Sequence, residues 1–138
     1  MAAHAPLAVR RPASLDSPTA SAAALRTFFG IARAWDLSAA EEQRLLGVQR
    51  STIYAWRSGD FPARLDADTL ERLSYVFGIY SALQVLFPVV ERADAWIRKP
   101  NTAPLFGGDS ALARMLGGKV ADLFEVRRYL DAVRGGVS

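Results

Sequence analysis

The stretch LLGVQRSTIYAWRSG, residues 45–59, carries side chains suited to reading hydrogen-bonding edges rather than to making or breaking bonds. Arg50 offers the planar fork of donors that fits guanine, and Gln49 can donate and accept at once, as adenine requires. The hydroxyls of Ser51 and Thr52 can reach a phosphate or a base edge. Tyr54, Ala55 and Ser58 share their outer side at helical spacing, and Arg57 and Arg64 are placed for phosphate contacts. No acid stands between Glu42 and Asp60. A surface meant to approach a polyanion needs that gap as much as it needs the arginines.

Catalytic chemistry has little to work with. His4 is the one histidine, the chain has no cysteine, and no cluster of His, Asp and Glu has the spacing of metal ligands. The acid pairs Glu41/Glu42 and Asp66/Asp68 sit where helices are expected to start, and there the helix dipole already accounts for negative charge. The paired glycines lack the strand and lysine of a phosphate loop. We therefore expect no enzyme, no cofactor and no metal.

The polar face needs a frame to hold it, and the apolar spacing predicts an all-α one. Leu25, Phe28, Phe29, Ala32 and Trp35 form the stripe of an amphipathic helix starting near Ala20. Ser38 to Glu41 matches a capping box, so a second helix should begin near residue 39 and stop at Gly47. A third should run from about Gln49 to Ser58-Gly59, with Leu45, Leu46, Val48, Ile53 and Trp56 locking the hairpin. Gln43 is a departure, because a small residue usually stands four before the turn glycine. Its longer side chain must bend away from the facing helix. Asp68 with Glu71 predicts the cap of a fourth helix, running to Phe87 before Pro88.

Between Arg72 and Glu91 no residue is charged. Ser74, Tyr75, Gly78, Ser81, Gln84 and Pro88 interrupt this run, so it reads as a buried helix and not a membrane span. Leu73, Val76, Phe77, Tyr80, Leu83 and Phe87 can face the interior, which leaves Tyr75, Ile79, Leu86 and Val90 in want of cover. The small residues Ser74, Gly78 and Ala82 invite close approach of another helix, either from a second copy or from the carboxyl-terminal part of the same chain. Beyond them, Val89, Ala93, Trp96 and Ile97 suggest a short helix ending at Pro100-Asn101. Gly107-Gly108 makes a turn, Asp109 or Ser110 caps a helix through Met115, and a last helix runs from Val120 until Gly135-Gly136 closes it.

The 138 residues carry a net charge of +3. Residues 1 to 64 hold eight arginines against five acids, while residues 65 to 138 hold nine basic groups against nine acids, so the excess lies wholly in the first half. An anionic partner for that half and a different partner for the other is the expected reading. The Ala-, Pro- and Ser-rich amino end predicts a disordered arm over residues 1 to 18, and the lack of cysteine suits a reducing cytoplasm. A glycine-turned hairpin also occurs in proteins that bind no nucleic acid. A free-standing transcriptional regulator and a protein-interaction module thus stay open beside any more specific assignment.

The carboxyl-terminal stretch AWIRKPNTAPLFGGDSALARMLGGKVADLFEVRRYLDAVRGG narrows the choice. Through Trp96, Pro100-Asn101, Phe106-Gly107-Gly108, Ala111-Leu112, Met115, Gly117 and the Val126-Arg127-x-Tyr129-Leu130 ending, it resembles the toxin-binding domain of the MbcA/ParS/Xre antitoxins. The preceding WDLSAAEEQRLLGVQRSTIYAWRSG is similar to the Xre-like helix-turn-helix those antitoxins carry upstream, and the two matches span about residues 20 to 136. Ala111 follows Ser110 where the family often has proline.

The resemblance implies an antitoxin of a type II toxin-antitoxin pair that represses its own operon. Its toxin would be a RES-fold protein that consumes NAD, with its cleft covered by the antitoxin's carboxyl-terminal domain and tail. It divides the chain into an arm (1–18), a helix-turn-helix domain (19–65), connecting and dimerisation helices (66–98) and a toxin-binding domain (99–138). DNA contact would fall to Gln49, Arg50, Ser51, Thr52, Tyr54, Arg57 and Ser58. Toxin contact would fall to Trp96, Phe106, Met115, Arg127, Arg128, Tyr129, Arg134 and the tail residues Gly135, Gly136, Val137 and Ser138. Operator DNA, the toxin and a second copy of the chain are the implied partners.

Overall fold

A computed structural model describes residues 18–137, and within them the chain is helical, with seven α-helices, one 3-10 turn and no strand. The arm expected over residues 1–18 falls almost wholly outside the described residues, as does Ser138. In order, the helices are α1 (Pro18–Ala34), α2 (Ala39–Leu46), α3 (Arg50–Arg57), α4 (Ala67–Leu86), α5 (Val90–Ala95), α6 (Ala111–Met115) and α7 (Val120–Val137), with the 3-10 turn at Trp96–Arg98. No helix among the described residues is long and apolar enough to cross a membrane.

The local chemistry explains the boundaries. Pro18 opens α1 at the position where its missing N–H costs nothing. The capping box at α2 forms in full: the Glu41 amide donates to Ser38 Oγ at 3.1 Å, and the Ser38 amide donates to Glu41 Oε1 at 2.9 Å. Gly47 ends α2 with φ +67°, and a side chain there would be strained twice over, since its Cβ would also lie 2.9 Å from Arg72 Cζ.

At α4 the cap is Asp66 and not Asp68, because the Thr69 amide donates to Asp66 Oδ1 at 2.8 Å. Asp68 instead reaches forward one turn to Arg72, at 2.9 Å. The hydrogen bonds from the Thr69 backbone and side chain hold the Asp66 carboxyl below its ordinary range. A depressed acid contributes stability that is present above its unfolded-state value and disappears as pH falls through its folded-state value. Asp66→Ala should therefore cost about 1 kcal/mol at neutral pH, and urea titrations should show that difference shrinking on acidification below the usual carboxylate range.

Helix α4 is the spine of the molecule. It packs most extensively on α7 and also meets α1, α2 and α5. Of the residues expected to need outside cover, Ile79 is fully buried while Val90 stays exposed; Ala82 of the small-residue stripe is also fully buried, and the most extensive packing of α4 is against α7. The small-residue stripe is filled from the same helix: a Cβ on Gly78 would lie 1.7 Å from Arg127 Nη1. Tyr75 is likewise met by Phe124 of α7, edge-on at 5.8 Å between ring centroids. Of the two covers the sequence left open for this face, the chain's own last helix is the one in place. Helix α7 then continues through Gly135 and Gly136 to Val137, so the glycine pair does not close it. Glycine weakens a helix end without forbidding it.

Arginines bind the two ends of the chain together through backbone carbonyls. Arg44 Nε of α2 donates to the Leu116 carbonyl at 2.7 Å, and Arg72 donates to that of Gly118 at 3.1 Å. Arg98 donates to the Trp35 and Asp36 carbonyls at 3.1 and 2.7 Å. Single guanidiniums here satisfy carbonyls that loops and helix ends leave unpaired.

Candidate functional site

Two surfaces carry the side chains singled out above. The first is the outer face of α3. Ile53 and Trp56 turn into the core, and Gln49, Arg50, Ser51, Tyr54 and Ser58 remain exposed, as helical spacing requires. Thr52 is half-buried and lines a groove with Gln49, Arg64 and Trp56 beside the start of α4. Gln43 is also half-buried and lines this groove and a second cleft between α2 and α3. The Arg50 guanidinium lies over the Tyr54 ring, 5.7 Å from its centroid, within the range of a cation–π contact. Ser58 closes the helix, its hydroxyl donating to the Ala55 carbonyl at 2.8 Å.

Arg57 is placed differently from the phosphate contact expected of it. Its Nε donates to Glu42 Oε1 at 2.6 Å, and Glu42 is only 3% exposed. The carboxylate raises the arginine's pKa further, chiefly through that hydrogen bond. The pair locks α2 to α3, so Arg57 serves the hairpin angle before it serves any ligand. Its side chain keeps 39% exposure, which screens the pair, so Arg57→Ala should destabilise by about 1–3 kcal/mol, the cost of leaving a buried acceptor unpaired. Adding Glu42→Gln should recover part of that loss in chemical denaturation. A loss confined to DNA affinity, with unchanged stability, would contradict this role.

The second surface is an aromatic triangle made by the 3-10 turn, the loop after it and α7. Trp96 stacks on Tyr129 with ring centroids 6.4 Å apart and planes at 21°, and Phe106 meets them edge-on at 6.0 and 5.1 Å. Local hydrogen bonds and turn geometry set the path of the loop. The Asn101 side chain accepts the Ala103 amide at 2.9 Å, the Asn101 carbonyl accepts the Gly108 amide at 2.8 Å, and Gly107 and Gly108 take positive φ angles of 61° and 94°. Ser110 caps α6 through the Ala113 amide at 3.0 Å, so the alanine at 111 leaves the cap intact.

The triangle separates residues that the sequence grouped together. Met115 is 1% exposed and Phe106 is buried, so both belong to the core and present no surface in this state. Trp96 and Tyr129 are half-buried and keep one edge outward. Arg128, next to Tyr129 in the chain, extends into solvent with its guanidinium 3.9 Å from Glu125 Oε1, and Arg134 is exposed further along α7, while Arg127 is drawn to Asp131 at 3.1 Å over Gly78. Gly135 is exposed, and Gly136 and Val137 continue the helix.

The sequence missed Arg44, Arg72 and Arg98 as structural anchors. Their one legible signal was position: Arg72 stands where an inward face of α4 should begin, and a basic residue there needs an acceptor. The paired acids are all accounted for, since Glu41 and Asp66 cap helices and Glu42 and Asp68 bind arginines.

A glycine-turned helical hairpin with a polar outer helix, joined through one long helix to an aromatic, loop-closed partner surface, defines a two-part binding protein. Residues 14–78 match the antitoxin Xre-like helix-turn-helix domain, and residues 82–136 match the antitoxin Xre/MbcA/ParS C-terminal toxin-binding domain. The chain is also 50% identical over 115 residues, 83% of its length and 86% of the relative's, to the uncharacterized protein y4oB of Sinorhizobium fredii (strain NBRC 101917 / NGR234). The chain belongs to the Xre/MbcA/ParS antitoxin family.

Proposed function

We propose that this antitoxin neutralises a RES-fold, NAD-consuming toxin by covering its active-site cleft, and represses its own operon through α3. The observation that carries the reading is the placement of two unlike surfaces on one framework. The exposed polar face of α3, led by Arg50, stands on one subdomain, and the Trp96–Tyr129 edge with Arg128 stands on the other. Half-buried aromatic rings with an exposed arginine on the helix that carries one of them are the residue types of a protein-binding hot spot, and an acid-free α3 suits DNA. The residues proposed for DNA are Gln49, Arg50, Ser51, Thr52, Tyr54 and Ser58, with Arg57 holding the hairpin. Those proposed for toxin are Trp96, Arg128, Tyr129, Arg134 and the end of α7 over Gly135, Gly136 and Val137, together with Ser138.

A homodimer within a larger complex, acting in the cytoplasm, fits this role. Its interface would not use the stripe at Gly78, which α7 fills. It would use the exposed Val85, Val89 and Val90 at the bend between α4 and α5.

The deciding experiment co-expresses the chain with the product of the adjacent gene and reads growth, cellular NAD and co-purification. Full-length antitoxin should restore growth and NAD and elute with the toxin. A chain ending at Arg134 should keep the fold but neutralise less well, because the last turn of α7 is lost. Neutralisation unchanged by that truncation would remove the tail from the mechanism, and failure of the full chain to associate with the neighbouring product would remove the toxin.

A further inference from the structure

The cleft between α2 and α3 is walled by Ala39, Ala40, Gln43, Arg50 and Tyr54 and holds about 170 Å³. Two alanine methyls and the ring of Tyr54 make most of its lining apolar, although it opens beside the exposed polar residues of α3. Tyr54 is 47% exposed and is the one large apolar side chain that α3 leaves outward among the described residues. An aromatic ring at that place weakens solubility unless something apolar meets it. The Arg50 guanidinium forms one wall and lies over the same ring, so whatever enters the cleft sits beside the group that can read a guanine edge.

Only one apolar group projects from base edges into the major groove: the 5-methyl of thymine. We infer that this cleft is a thymine-methyl pocket, so that α3 reads a thymine next to the guanine engaged by Arg50. Tyr54 has two parts in this, floor of the pocket and support that holds the Arg50 fork in one plane. The inference rests on the DNA-binding half of the proposed function and adds to it a base identity and the groups that select it. Cytosine carries hydrogen where thymine carries methyl and would leave the cleft unfilled, and a purine would not reach it.

The test uses the full-length protein and the promoter duplex of its own operon made in two forms, one with thymine and one with deoxyuridine throughout. The two differ by the 5-methyl groups alone. Titrations run against excess unrelated duplex should show the thymine form bound about fourfold tighter for each methyl seated, the value of burying one methyl-sized group. Single deoxyuridine substitutions should place the effect at a thymine adjacent to a guanine whose N7 methylation blocks binding.

Ala40→Leu fills the cleft while leaving the Arg50 residue itself unaltered, and should bring the ratio between the two duplexes to about one. Tyr54→Ala should do the same and also weaken binding to both. Equal affinity of the unaltered protein for the two duplexes would overturn the inference while leaving DNA binding standing. A ratio that survives in both variants would place methyl reading elsewhere and overturn it as well. No preference for the promoter over unrelated duplex would overturn both the inference and the DNA-binding half of the proposal.

Discussion

Trp35→Ala should lower the free energy of unfolding by about 3–5 kcal/mol, the range for removing a large aromatic side chain from a packed interior. The ring is 1% exposed and meets Tyr80 of α4 at 6.2 Å between centroids, and the residue's backbone carbonyl accepts a hydrogen bond from Arg98 of the 3-10 turn. Two other parts of the chain therefore meet this residue, Tyr80 at its ring and Arg98 at its backbone. The indole Nε1 has no hydrogen-bond partner among the described residues, so the loss would be one of volume and contact rather than of a bond. Trp35→Phe, which keeps much of the volume and removes that unpaired donor, should cost markedly less. Urea unfolding monitored by circular dichroism gives the comparison through the transition midpoint at constant slope. A loss under 1 kcal/mol for Trp35→Ala would mean that the cavity collapses and that the ring's contacts carry little.

Arg50→Ala should weaken promoter binding by about 1–3 kcal/mol, a loss of roughly 5- to 150-fold, with stability unchanged. Arg50 is exposed, lies at the start of α3, and has its one described ring contact with Tyr54 of the same helix, so its removal leaves the core untouched. Arg50→Lys separates charge from shape. Lysine keeps the positive charge and hence most of the salt dependence, but it lacks the planar fork, and it should recover little of the sequence preference. Arg64→Ala, in contrast, should weaken binding to all duplexes alike and lower the slope of log affinity against log salt by about one. Binding of Arg50→Ala at full strength would take base reading away from this helix.

Much of this architecture could be read from the chain before its coordinates, for identifiable reasons. The capping box at Ser38 and the glycine at 47 involve partners within four residues of each other, so the signals are local and the hairpin boundaries follow. The stripe from Leu25 to Trp35 has one period and one core to face. The cap of α4 was misplaced by two residues because Asp66 and Asp68 are both acceptable acids, and only the backbone path decides which oxygen meets the Thr69 amide. The end of α7 was misplaced because Gly135-Gly136 looks like a stop, yet nothing in the helix ahead of it forces the left-handed turn that would make it one.

The binding surfaces divide the same way. Arg50 and Tyr54 were legible because exposure on a short helix follows from the positions of Ile53 and Trp56. Met115 and Phe106 were not distinguishable from Trp96 and Tyr129, since all four are large, mainly apolar residues in one stretch of chain and burial depends on how the loop closed by Asn101 lies over α7. Arg57 was assigned to phosphate by its charge, and only three-dimensional proximity reveals Glu42 beneath it. Counting charge along the chain finds the excess in the first half but cannot say that Arg44 and Arg57 are already engaged with the protein itself.

The two family matches meet inside α4, one ending at residue 78 and the other beginning at residue 82. Their seam thus falls where the helix is most deeply enclosed, with Ile79, Ala82 and Leu83 all interior. A hinge there would have allowed each half to persist after the other was cut away. A continuous rod allows no such independence: α4 runs through a single interior shared by both halves, so a proteolytic nick within it opens the packing of the two together.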